Sequence, residues 1–512
     1  MSANVRIIKE AREVIPILGG VTGAIVVPHL VWGANAQPIA YFVYALGCVI
    51  LAASAFGNEV HHRTISVLLS QPAPRGLMWR EKTGIAACAV STALAVILVC
   101  GVVWPSKESA DVRSVLGLVM VAICAWCGAP YWTLVYRNAV VGVASAVTAP
   151  CAMLMVGALI FALAGKMYPQ ILENEALAFY GGVVLLLLYS AQVCRRGFVY
   201  FTRFEVLDAS SRELALPARV ESVTSRLLSS VSARLIGPFG ALFKKEFRLQ
   251  QTTFLMAGLF CFFALVGLGL YPIYRDAAEV IWGIDFAVFL ILVPFLAGAL
   301  PLAEEQGWGV ADWHLVLPPS GRMQWMAKML VALPTSLLLG LALPFLLVYS
   351  GALIGLGGPA ASIKGQVLDI ILTSSLVALG QLAVTGAAVY AGSISSNSLR
   401  AILKGMGISI GALVCGFWAR YIFLWYLRGV FQFGHVFWWM FWWSSVSGDA
   451  AEKSIWPTIA LGLFILFCLL QWFGFSNFRR RGSSGFKIVV QLLALLAVAG
   501  FFGILIATLD YH

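Results

Sequence analysis

The sequence predicts an all-α polytopic membrane protein: two homologous six-helix transmembrane halves plus one additional C-terminal transmembrane helix, about thirteen spans, with a cytoplasmic N-terminus. Three observations predict it. The 512 residues are 61% hydrophobic and only 11% charged, with a mean hydropathy of +0.90, far from the balance of a soluble domain. Apolar windows of about 18 or more residues, the length that crosses roughly 30 Å of hydrocarbon, recur along almost the whole chain. Finally, Glu59, Pro72, Trp79 and Lys82 reappear as Glu305, Pro318, Trp325 and Lys328, each pair separated by one offset of 246 positions.

In chain order the windows place spans at about 14–32, 39–57, 84–104, 115–136, 139–164 and 178–194, then 253–271, 281–302, 329–355, 367–392, 401–424, 456–475 and 486–508. Proline and glycine inside several of them are tolerated, because neighbouring helices satisfy the freed backbone groups. With the N-terminus inside, the cytoplasmic segments hold 26 of the 34 Lys and Arg residues, the asymmetry expected of a multi-pass topology. The net charge of +11 therefore reports orientation and not nucleic-acid binding. The first apolar stretch follows a charged segment without a small-residue cleavage site, so it reads as a retained anchor. The ten cysteines fall almost entirely inside spans, and Cys124 and Cys127 read as packing residues.

The domain organisation that follows is a first half over 1–195, a basic cytoplasmic linker over 196–240, a second half over 241–476 and an additional helix over 477–512. Each half opens on a short charged amphipathic stretch, Val5 to Glu10 and Leu242 to Phe247, of a kind that lies on a membrane surface with Lys or Arg toward headgroups. Two spans later comes a polar device. In the first, Ile65, Leu68 and Leu69 make a one-turn apolar face near 63–71 that Pro72 and Pro74 terminate. In the second, Val310, Trp313 and Leu315 do the same near 309–317, ahead of Pro318 and Pro319. Lys82 and Lys328 then stand at the membrane boundary. The apolar face is too short to pack a domain alone and suits a partner's groove.

These residues resemble the permease subunits of the type-2 ATP-binding-cassette transporter family. The match runs through Glu59, Thr64, Leu68, Leu69, Pro72, Arg75 and Lys82, with Glu305, Pro318 and Lys328 as the second copy. The second copy departs from the pattern, with Ala311 and Asp312 near the place of the threonine and Arg322 shifted by one. The resemblance implies two coupling helices, each received by one of two cytoplasmic ATPase subunits that bind ATP and Mg. It also implies export across a prokaryotic plasma (inner) membrane, with an accessory or extracytoplasmic subunit as a further partner. No G-x-x-x-x-G-K-[ST] phosphate loop is present, so no catalytic, cofactor or metal residue is expected in this chain.

Three features stand outside the devices. Asp285 lies inside the eighth span, where an ionisable group is a substrate or gating candidate. The run from Phe431 to Trp443 reads as an interfacial cap, with Trp438 and Trp439 as outer-gate candidates. Val220, Val223, Leu227, Val231 and Leu235 describe a basic amphipathic helix in the linker. Three alternatives stay open: an ion-coupled secondary transporter, an integral membrane enzyme built on Glu59, His61 and His62, and a permease-like protein that transmits force to an extracellular partner.

Overall fold

The computed structural model describes residues 3–61, 73–105, 111–167, 175–203, 237–270, 275–307, 319–347, 367–395, 398–432, 448–480 and 485–511. Among these residues every regular element is helical. In the first half the α-helices are α1 (Ala3–Trp32), α2 (Gln37–His61), α3 (Arg75–Val103), α4 (Val112–Tyr136), α5 (Ala139–Met167) and α6 (Glu175–Arg203). The second half holds α7 (Pro238–Leu249), α8 (Gln251–Leu270), α9 (Arg275–Gly307), α10 (Gly321–Leu337), α11 (Val367–Ser393), α12 (Ser398–Gln432), α13 (Gly448–Arg480) and α14 (Gly485–Tyr511).

Twelve of the helices are long and apolar enough to cross a membrane. The chain is an all-α, multi-pass integral membrane protein. The remaining two are α7, which is the short charged segment, and α5, whose apolar stretch is described from Ala139 to Leu154. Helices run past the predicted spans wherever charge ended the apolar window: α3 starts at Arg75 and not 84, α6 continues to Arg203 and α9 to Gly307. Charge stops a hydropathy window but not the backbone hydrogen-bond ladder.

Local chemistry sets the ends. Pro74 caps α3 and accepts from the Leu77 and Met78 amides at 2.9 and 3.1 Å. Ser320 caps α10 through its hydroxyl, which accepts from the Met323 amide at 3.3 Å. Between α4 and α5 the chain reverses on Arg137, in the left-handed region at φ 49°, and the Asn138 side chain accepts from the Val140 and Val141 amides. That turn is tight enough that a Cβ at Gly142 would lie 2.6 Å from the Thr133 backbone. Gly237 at φ 104° and Pro238 at the first helical position start α7.

By packing, the chain divides into a unit of residues 1–236 with 262–281 and a unit of residues 237–261 with 282–512. In the first, α2 packs on α1, α3, α4 and α5, while α4 also meets α6, so α2 and α4 form the centre. In the second, α11 packs on α10, α12 and α13, and α14 closes against α12 and α13. The α12–α14 crossing is close: a Cβ on Gly503 would stand 2.0 Å from the Gly416 carbonyl oxygen. Directly after α10 the ladder widens into a π-turn at Leu338–Ala342, with the Gln381 amide seated directly over Gly340.

Candidate functional site

The repeated Glu and Lys of the two halves each become part of a buried ion cluster. In the first half, α2 ends by presenting Glu59, α3 presents Lys82 two turns after its start, and α1 supplies Glu10. The Lys82 ammonium lies 2.5 Å from Glu59 Oε1, 2.7 Å from Glu10 Oε2 and 3.2 Å from the Ala55 carbonyl oxygen. An ammonium has three protons, and here three acceptors receive them. Phe56 lies beneath the same nitrogen, 5.7 Å from ring centroid to Nζ.

The second half repeats the two carboxylates and the backbone carbonyl around its lysine. Lys328 Nζ lies 2.7 Å from Glu246 Oε1, 2.8 Å from Glu305 Oε1 and 2.9 Å from the Pro301 carbonyl oxygen. The carbonyl comes in both halves from the residue one turn before the second glutamate, Ala55 before Glu59 and Pro301 before Glu305. Pro301 has no amide proton for the Ala297 carbonyl, and Gln250 Nε2 donates to that carbonyl instead at 2.8 Å. Lys82 and Lys328 are 4% and 2% exposed, so both clusters are withdrawn from water. Withdrawn charges persist only when paired and hydrogen-bonded.

An aromatic wall backs each cluster. Trp79 stacks on Phe56 at 5.2 Å and meets Phe201 at 5.7 Å. Trp325 meets Phe478 at 5.6 Å and Phe475 at 5.8 Å. Each indole lies over a glycine, Gly197 on α6 or Gly474 on α13, so close that a Cβ there would stand 2.9 Å from its ring. The two clusters differ in charge. Among the described residues Lys82 is the one cation facing its two carboxylates, with the Arg6 guanidinium gripping Glu81 beside them at 2.9 and 3.0 Å. In the second cluster Lys245 also pairs with Glu305 and lies 3.8 Å from Glu246, which gives two cations for two carboxylates. Burial nevertheless pushes the Glu246 carboxyl above the usual carboxylate range, against the pull of Lys328, and one oxygen each of Glu59 and Glu246 has no hydrogen-bond partner among the described residues.

No family model matches the chain, and neither does any curated protein or solved structure.

The structure places the sequence candidates as follows. Glu59, Lys82, Glu305 and Lys328 are brought together in the clusters. Arg75, at the start of α3, donates to the Thr202 carbonyl oxygen at 2.8 Å and ties α3 to the end of α6. Thr64, Ile65, Leu68, Leu69, Pro72, Val310, Trp313, Leu315 and Pro318 lie outside the described residues, as do Trp438, Trp439 and the linker helix over 220–235. Asp285 lies within α9, and its side chain is outside the described set. Among the described residues no group of three or more His, Cys, Asp and Glu is arranged to hold a metal ion. Cys124 packs with Tyr189 and Val193, and its sulfur lies 3.4 Å from the Ser190 hydroxyl.

Two expectations change. Lys82 and Lys328 do not open their helices but stand buried seven residues inside them, because the ladder of each helix begins about two turns before the apolar window does. The amphipathic segments do not turn all their charge toward headgroups. Arg6, Glu10, Lys245 and Glu246 face the bundle, while Ile7 and Ile8 face outward. Glu10 and Glu246 were not among the site residues expected. Their signal was present in Lys9-Glu10 and Lys245-Glu246, a repeat at an offset of 236 and not 246.

Proposed function

We propose that this chain is the membrane permease of an ATP-driven exporter, itself catalytically inert and driven by two copies of a cytoplasmic ATPase subunit. One observation carries the reading. Each half has the same lysine, locked to the same two glutamates, at the root of the segment that joins its second and third long helices. Residues 62–72 leave α2 three positions after Glu59 and enter α3 seven positions before Lys82. Residues 308–318 are bounded in the same way by Glu305 and Lys328.

A push on either segment therefore reaches three helices together, because the lysine binds the opening helix, the helix that enters the segment and the helix that leaves it. A partner that presses differently in its ATP-bound and ATP-free states biases a two-state membrane assembly by its differential affinity alone. A stiff, buried ionic joint at each root transmits that difference with little slack. The chain supplies the joint and the path, and the partner supplies ATP and Mg chemistry. Parallel repeats of six spans each, in a plasma membrane with the N-terminus inside, complete the reading. The inverted repeats and midplane charges of many secondary transporters are not its pattern.

The test is purification of the tagged chain from its native host in mild detergent, with mass spectrometry of what remains bound. A stoichiometric ATPase subunit is expected, and it is lost when Leu68 and Leu69, or Trp313 and Leu315, are replaced by Asp. Recovery of the chain alone at every detergent strength sinks the proposal.

A further inference from the structure

The end of α6 carries a second feature, independent of the clusters. Tyr131 of α4 and Gln192, Arg195, Arg196, Val199, Tyr200 and Arg203 of α6 line a cleft of about 740 Å³. That volume lies inside the roughly 300–1,000 Å³ range of small-ligand sites. Three arginines line it, and among the described residues no carboxylate does. Among the described residues none of Arg195, Arg196 and Arg203 pairs with an acidic side chain. Arg196 is held by a neutral neighbour one turn back, the Gln192 amide, whose oxygen accepts from Nε at 3.3 Å and Nη2 at 3.2 Å when turned toward it. Close by, the Thr202 carbonyl near the end of α6 accepts from Arg75 and not from these arginines.

The stripe of α6 that runs into the cleft decides what it takes. Val184, Leu188, Gln192, Arg195 with Arg196, Val199 and Arg203 follow one another at three or four residues, so they share one face of the helix. Val184 and Leu188, toward the membrane interior, are 55% and 64% exposed. Outward-facing apolar side chains at depth and arginines at the end make one continuous surface that changes from hydrocarbon-like to cationic. Tyr131 and Tyr200 stand at that change, where amphipathic rings favour the interface. Guanidinium groups match phosphate oxygens in geometry as well as charge.

We infer that the cleft between α4 and the end of α6 binds a phosphate group, that of an anionic phospholipid whose acyl chain lies along Val184 and Leu188. Basic pockets at the ends of membrane helices take anionic headgroups on these terms. The inference does not depend on the transport reading and stands or falls separately from it.

The experiment uses the full chain reconstituted in nanodiscs of phosphatidylcholine alone or with an equal share of phosphatidylglycerol. After transfer to detergent, native mass spectrometry counts the lipids retained. Arg195→Gln, Arg196→Gln and Arg203→Gln are combined in one variant. Arg113→Gln, Arg322→Gln and Arg479→Gln, exposed positions outside the amphipathic segments, form the charge-matched control. The wild type and the control are expected to retain phosphatidylglycerol over phosphatidylcholine, and the cleft variant to lose about tenfold or more of that preference. A parallel arm adds inorganic phosphate to the phosphatidylcholine discs and follows the melting temperature. If phosphate stabilises the wild type but not the cleft variant, and phosphatidylglycerol is not preferred, the site is a phosphate site whose ligand is soluble. Equal lipid retention by all three proteins together with no response to phosphate overturns the inference. Melting of the cleft variant in phosphatidylcholine discs, expected to match the wild type because all three arginines are exposed, shows that it is folded.

Discussion

Lys328 Nζ lies 2.7 Å from Glu246 Oε1, a contact between residues 82 positions apart that fastens α7 to α10, and it has a counterpart in Lys82 and Glu10 at 2.7 Å. The two contacts belong to separate halves with little sequence in common. Their equivalence rests on the shared use of three acceptors around one buried ammonium.

Removing the Lys328 ammonium leaves Glu246 and Glu305 buried with, among the described residues, only the partly exposed Lys245 beside them. Lys328→Met is expected to destabilise the protein by about 3–5 kcal/mol, the cost of a broken buried pair. Replacing the buried lysine and both carboxylates, with Lys328→Met, Glu246→Gln and Glu305→Leu together, is expected to recover part of that loss, since the partly exposed Lys245 can turn its ammonium to water. Thermal unfolding of the purified protein in one detergent checks both. A triple variant as unstable as the single one would show that the charges are not what the lysine balances.

Acid should stabilise the second half through Glu246. Burial holds its carboxyl above the ordinary value, while Lys328, Lys245 and Glu305 face it. Between the unfolded value, about 4.3, and the raised one, the folded state binds more protons than the unfolded state, so stability falls as pH rises through that window. Melting temperatures measured from mildly acid to neutral pH are expected to drop more steeply for the wild type than for Glu246→Gln. Parallel curves would show that Glu246 keeps an ordinary carboxyl in the fold.

The aromatic walls give a matched pair of tests. A methyl at Gly197 or at Gly474 meets an indole ring at 2.9 Å, and that ring is held by its phenylalanine neighbours. Gly197→Ala and Gly474→Ala are each expected to cost about 1–3 kcal/mol through overpacking. Melting of the two variants side by side checks this, and a large loss at one position with none at the other would mean that the walls are not equivalent.

How much of this was legible in the sequence depends on the kind of signal. Long apolar windows set the helix order, because crossing a bilayer demands them at any sequence. Glu59 and Lys82 stood out because their copies sit at one offset. Glu10 and Glu246 did not, because the opening helix differs between halves. α1 runs unbroken through Pro16, whereas Gln250 interrupts the second copy between α7 and α8, and the offset there becomes 236. The Gly197, Phe198 and Phe201 set recurs as Gly474, Phe475 and Phe478 at yet another offset, 277. Each loop length changes the register, so a search at one offset finds only the residues around one loop. Which face of an amphipathic helix meets protein is likewise absent from the helix's own pattern, since a cluster of partners 49 and 72 positions from Glu10, at Glu59 and Lys82, decides it.

The additional helix α14 is held by a buried polar network that predicts its own failure. Gln491 Oε1 accepts from Tyr390 Oη at 3.1 Å and from Asn477 Nδ2 at 3.0 Å, and its Nε2 donates to Asn477 Oδ1 at 3.3 Å. Lys487 reaches the same Asn477 oxygen at 3.2 Å. Gln491→Leu leaves the Tyr390 hydroxyl and the Asn477 amide without this partner inside the bundle, a loss of about 1–3 kcal/mol for each buried group unless water enters. Gly503→Leu attacks the same helix by shape, since its backbone lies against the Gly416 carbonyl with no room for a side chain. Either substitution is expected to loosen α14 from α12 and α13 while the first half, which contains neither residue, keeps its stability. Limited proteolysis read by mass spectrometry separates the outcomes. Faster cleavage between α13 and α14 alone supports local release, whereas faster cleavage throughout the chain would mean that α14 is part of the folding core and not an attachment to it.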